Sequence, residues 1–218
     1  MLFLPFPSVC LFGRHLFIYL NFTVGGSLRA LRMFRKLGVR YMTLTHNGGP
    51  GWAEQGTWIK ECKIKNGLNE EFGHDAIHEM NRIGMTIDLS HLHNETMHYV
   101  LDISKAPIIF SHSSTRALCR HVRDVPDDVL IRLPQNGGVC MIVFAGKFVA
   151  GEFWVGEGGK VGATILEVAD HIDHIDHIVK IAGIDHVGVG GDYDGASPFA
   201  RGLEDVSKYP SLTCELLK

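Results

Sequence analysis

The sequence predicts an α/β protein built on parallel strands, and three observations carry that prediction. Short apolar runs alternate along the chain with amphipathic stretches of helical period. The runs are almost continuously apolar, as strands are when helices cover both faces. Twenty-five glycines in 218 residues supply turns between them. Strand–helix–strand repeats imply right-handed crossovers. About five such units at this spacing suit either a doubly wound sheet or most of an eight-unit barrel, which takes ~250 residues.

The elements follow in order from residue 26. Ser27 is placed to cap a helix running to Lys36, with Leu28, Leu31 and Phe34 on one apolar stripe. Residues 41–46 form a strand ending at His46, and a Gly/Asn-rich loop follows. A helix over 70–83 turns Phe72, Ile77 and Met80 inward, and residues 85–91 make the next strand, ending at His91. A helix over 94–104 leads to a strand ending at His112, and one near 126–133 leads to the strand 139–144. A glycine-rich loop at 157–162 and a helix over 164–182 bring the chain to its last strand, which ends at Asp192. Met33, Met42, Met80 and Met85 fall at core positions.

Residues 1–24 stand apart. They are rich in Leu, Phe, Ile and Val but interrupted by Pro5, Pro7, Gly13, Arg14 and His15. A signal peptide needs a basic start and a small-residue cleavage site, and a membrane span needs about 20 unbroken apolar residues. The segment meets neither description. The division read from sequence is an anomalous apolar segment over 1–24 and a partial (β/α) barrel over 25–218.

Composition narrows the function. Twenty-one basic against 24 acidic residues exclude an ordinary polybasic nucleic-acid binder. Five cysteines with no C-x-x-C pair exclude a zinc ribbon, and the triplets at Asn21 and Asn94 are glycosylation sequons of a kind that chance often produces. Thirteen histidines are the anomaly. Four strands end in His46, His91, His112 and Asp192, and in an α/β barrel the C-terminal strand ends build the active site. Neutral imidazoles with carboxylates suit zinc, and an open coordination position activates water. That pattern distinguishes a barrel metallohydrolase from a doubly wound nucleotide binder, and no Gly-x-Gly-x-x-Gly opens a helix after a strand.

The remaining histidines read as structural. The repeat from His171 to His177 lies in a helix whose buried stripe is Ile172, Ile175 and Val179, which places its histidines on the solvated face. His74 and His78, four residues apart on another helix, read as surface residues. Asp88, inside a strand, reads as a buried hydrogen-bonded aspartate rather than a ligand.

The segments Leu37–His46, Asn81–His91, Pro107–Ser114, Arg123–Asp127 and Gly190–Gly195, in register over residues 24–218, resemble the renal (membrane) dipeptidase family. The resemblance implies a zinc-dependent (β/α)8 barrel of the amidohydrolase type that hydrolyses dipeptides. By resemblance, His91 and His112 are metal ligands to one zinc of a binuclear pair. Asp192 is the carboxylate that relays a proton from the nucleophile to the leaving amine. His46 stabilises the oxyanion, and Arg123, which residue reading alone leaves as a surface charge, binds the substrate carboxylate. The resemblance also implies attachment to the extracellular face of the plasma membrane and a homodimer as partner, with no role for nucleic acid.

Two departures accompany the match. The family's His-x-Asp pair has no counterpart before residue 24, and the place of its bridging glutamate falls at about Tyr19. The expectation read from the last residues is that they supply no apolar tail for a lipid anchor. The expectation is therefore a chain truncated at both ends, holding at most one weak zinc. The alternative to an active dipeptidase is a catalytically inactive dipeptidase-like barrel.

Overall fold

The computed structural model describes residues 9–12, 15–19, 24–46, 51–53, 68, 72–150 and 168–218, the side chains from residue 24 to 150 and from 170 onward within these. The glycine-rich loop expected at 157–162 and the first residues of the helix expected from 164 lie outside the described residues, as does the sequon at Asn21. Two compact units divide the chain, Met1–Ile109 and Phe110–Lys218.

The first unit carries β1 (Val9–Phe12), β2 (His15–Tyr19), β3 (Val39–Thr43), β4 (Thr86–Asp88) and the start of β5 (Ile108–Phe110). β1 and β2 form an antiparallel hairpin, whereas β2, β3, β4 and β5 pair successively in parallel. Residues 9–19 thus extend the sheet: Tyr19 pairs with Thr43. Parallel neighbours need crossovers, and α1 (Leu28–Lys36), α2 (Gly73–Ile83) and α3 (Asn94–Ile103) supply them. Ser27 caps α1 by accepting from the Ala30 N–H, the role its sequence position predicts. Gly84 closes α2 in left-handed backbone, φ 69°, which glycine adopts without a Cβ penalty. Leu31, Met42, Ile77, Met80 and Ile87 are buried between helices and sheet. Met33 is not a core residue: it is 56% exposed on the outer side of α1, because the inner stripe is narrower than its apolar content.

The second unit contains α4 (Asp127–Leu130), α5 (Leu133–Asn136), β6 (Val139–Ile142), α6 (Val168–Ala182), β7 (Val187–Val189) and α7 (Tyr209–Leu216). β6 and β7 pair in parallel. The single helix expected over 126–133 is two short ones, since Pro134 cannot donate to a continuing ladder but suits the start of a new turn.

The histidine-rich helix α6 corrects the sequence reading most clearly. Its inward stripe is His171, His174, Ile175, Ile178 and Ala182, and its solvated face is Asp173, Asp176 and Lys180. His171 and His174 are fully buried. His174 Nδ1 accepts from the Thr115 N–H at 3.1 Å, and its Nε2 lies 3.1 Å from the Val149 carbonyl, so the imidazole enters the core with both nitrogens satisfied. His177 pairs with Asp127 at 2.8 Å, joining α6 to α4.

Candidate active site

The parallel strands are shorter than the apolar runs that predict them, and the candidate residues lie just beyond their ends. His46 follows β3 (Val39–Thr43), His91 follows β4 (Thr86–Asp88), His112 follows β5 (Ile108–Phe110) and Asp192 follows β7 (Val187–Val189). Each sits two or three residues past its strand, in the turn where a parallel sheet presents side chains at its C-terminal edge.

In the first unit His46 and His91 come together, ring centroids 4.4 Å apart and tilted by 33°. The exit of β4 is fixed from beneath. Asp88 is fully buried and accepts from the Thr43 hydroxyl at 2.5 Å and from the Ser90 N–H at 3.0 Å. The structural role expected for Asp88 is the one observed. Thr45 donates to the His91 carbonyl at 3.1 Å. These bonds hold His91, itself buried, at φ 73°.

In the second unit the segment after β5 carries His112, which is buried. The Ser111 hydroxyl lies 2.6 Å from His112 Nδ1. When Nδ1–H donates to that oxygen, the hydroxyl fixes the tautomer of the ring, as an outer partner does for a metal-binding histidine. Arg123 is only 2% exposed, so the surface charge read from sequence is a buried guanidinium. Its Nη2 donates to the His112 carbonyl at 3.3 Å, and its Cζ lies 5.0 Å from the centre of the Phe148 ring. Beside it Asp124 is fully buried, and desolvation pushes its carboxyl well above the usual range despite the nearby Arg123 and Arg116. Sequence reading assigns no role to Ser111, Asp124 or Phe148, because their roles arise from segments that meet only in three dimensions.

Asp192 is held by the glycines around it. Gly190 runs so close to the Ser111 carbonyl that a Cβ there would overlap the oxygen, which brings the end of β7 against the segment bearing His112. A Cβ on Gly195 would land on the Asp192 carboxylate. The Asp192 carbonyl accepts from the N–H groups of Gly195 and Ala196 at 3.1 and 3.0 Å, closing a tight turn in which Asp192 has φ 61°. His91 and Asp192 are the two residues other than glycine with positive φ among the described residues. Strain of this kind persists where surrounding contacts over-determine the backbone, and it clusters at functional sites.

Two histidines and an aspartate are donors of the right chemistry for a transition metal. Among the described residues, however, no three His, Cys, Asp or Glu side chains gather closely enough to hold an ion. The donors among the described residues do not by themselves complete a three-ligand zinc centre. The position aligned with the family's glutamate, Tyr19, lies in β2, and its side chain is outside the described set.

Parallel strands with crossover helices and chemistry-bearing residues beyond the strand ends define an α/β protein of the (β/α)-barrel kind. The comparisons specify it further. A model of the membrane dipeptidase family, peptidase family M19, matches residues 21–218, and the chain belongs to that family. An uncharacterized dipeptidase of Schizosaccharomyces pombe is 46% identical over 195 residues, 89% of this chain and 44% of that protein. The dipeptidase tcpJ of Claviceps purpurea is 44% identical over the same share of this chain and 43% of its own length. A metallopeptidase of Rhodobacter sphaeroides, crystallised with a phosphinate mimic of the dipeptide L-Ala-D-Ala, superposes with a TM-score of 0.79 at 26% identity, covering 92% of this chain and 55% of that one. The match bears out the fold class read from sequence, an incomplete barrel of the metal-dependent hydrolase type. The chain spans less than half the length of the curated relatives it matches.

Proposed function

We propose that this protein is a metal-dependent dipeptidase. The observation that carries the reading is that one unit holds both a buried Arg123, bonded to the His112 carbonyl, and a strained Asp192 whose strand end packs on Ser111. A planar guanidinium binds a free carboxylate bidentately and so selects a short peptide by its C-terminus. In the proposed chemistry Asp192 accepts a proton from the attacking water and returns it to the departing amine. His46 donates to the oxyanion of the tetrahedral intermediate. His91 and His112 are the proposed zinc ligands, and the zinc would supply activation of the water. Family membership, the dipeptidase names of the relatives and the dipeptide mimic held by the bacterial enzyme support the same reading.

The test is hydrolysis of dipeptides by the protein in added zinc, beside Asp192→Asn. Loss of general acid–base help should slow turnover by about 10²-fold or more. Equal rates in both proteins would remove Asp192 from the mechanism. A second reading, a family member that binds dipeptides without cleaving them, is favoured by the incomplete donor set among the described residues. It predicts dipeptide binding by calorimetry with no turnover.

A further inference from the structure

We propose that His74 and His78 form a binding site for a divalent transition-metal ion on α2, separate from the candidate active site. The two residues stand four apart on α2 (Gly73–Ile83), one turn above each other on the same face. Their Nε2 atoms are 3.2 Å apart, and the rings meet edge to face with centroids 4.3 Å apart.

That separation is the bite of a chelate. Two imidazole nitrogens bound at 2.0–2.1 Å lie about 2.9 Å apart at a right angle and about 3.3 Å apart at the tetrahedral angle. The observed distance falls between these limits, so the spacing of the two nitrogens suits one shared ion once the rings turn their lone pairs towards it. Both side chains are half-buried and rise from a helix whose inner face, Ala76, Ile77 and Met80, is packed into the core. The backbone that sets the bite is therefore rigid, and little ordering is left to oppose binding.

Without metal, one Nε2–H donates to the other Nε2. With metal, both rings carry their proton on Nδ1 and give both Nε2 lone pairs to the ion, so neutral imidazoles release no net proton. The helix N-terminus disfavours a cation, and Asp75 in the same first turn offsets it. Glu79, the other carboxylate on this stretch, is committed to Arg32 and Arg82. Water completes the coordination. Two imidazoles with open positions suit Cu²⁺ first and Zn²⁺ or Ni²⁺ less strongly, following the general affinity order.

The experiment uses the full chain as purified, titrated with Cu²⁺ alone. Electron paramagnetic resonance of the first equivalents should show coupling to imidazole nitrogens, and diethyl pyrocarbonate labelling followed by mass spectrometry should show His74 and His78 protected together. His78→Ala and His74→Ala should each weaken this binding by about tenfold or more, while His46→Ala leaves it unchanged. The labelling is read on the unsubstituted protein, so a variant that fails to fold does not remove the test. Protection confined to other histidines, or Cu²⁺ affinity unaltered in a folded His78→Ala protein, would overturn the proposal.

Discussion

Asp192 depends on an absence of atoms three positions further along the turn: no side chain at Gly195 occupies the place where the Asp192 carboxylate lies. Gly195→Ala should displace that carboxylate while leaving Arg123 in place. The expected outcome is a fall in kcat for dipeptide hydrolysis of at least about tenfold with KM little changed, the signature of a lost transition-state contact. Steady-state kinetics on the two proteins checks it, and a rise in KM alone would place the effect elsewhere. Arg123 calls for the complementary measurement. Lysine keeps the charge but loses the planar fork, so Arg123→Lys should raise KM for dipeptides with a free carboxylate by about 10-fold or more. C-terminally amidated dipeptides should be poor substrates already and lose little further. Equal losses on both substrates would sink the assignment, because a missing contact cannot penalise a ligand that never made it.

At the scale of elements, α1 is joined to α2 through one buried carboxylate. Glu79 accepts from Arg32 at 2.5 Å and from Arg82 at 2.6 and 2.7 Å, and these bonds hold its carboxyl down at about 2. A depressed acid contributes stability that is present above its unfolded pKa, near 4.5, and is lost as pH falls towards 2. Glu79→Gln should therefore destabilise the protein at pH 7 by about 1–2 kcal/mol, the scale of charge-assisted hydrogen bonds of which both arginines are partly exposed. The difference from the unsubstituted protein should shrink below pH 4. Urea unfolding at the two pH values measures both effects, and a gap that does not close in acid would assign the loss to packing.

For the molecule as a whole, the buried histidine of α6 sets a second pH window. Burial pushes His174 down to about 4, against the bonds that favour its charged form. A base depressed in this way binds its proton more readily in the unfolded chain. Stability is then full above about pH 6.5 and declines as pH falls towards 4, by roughly 3 kcal/mol at 1.36 kcal/mol per unit. Thermal unfolding followed between pH 7.5 and 4.5 should show this decline, and His174→Asn should flatten it while lowering stability at pH 7.5. A pH profile unchanged by the substitution would mean that another group titrates.

The sequence by itself determined the α/β class, the order of its elements and the positions of the strand-end residues. Those features are local: continuous apolar runs, helical periodicity, a Ser27 cap and a Gly84 stop act within a few residues. Asp88 was also legible, since an acid inside an apolar strand must find partners. What only the tertiary structure decided depends on segments far apart in the chain. The buried face of α6 turned on Thr115 and Val149 satisfying His174, which periodicity cannot register because it counts histidine as polar wherever it points. Arg123 went from a nominal surface charge to a buried anchor because the His112 carbonyl and the Phe148 ring receive it. His74 and His78 share a helix face by spacing alone, but their 3.2 Å approach is set by side-chain rotamers on a packed helix, and rotamers are chosen by neighbours that sequence order does not name.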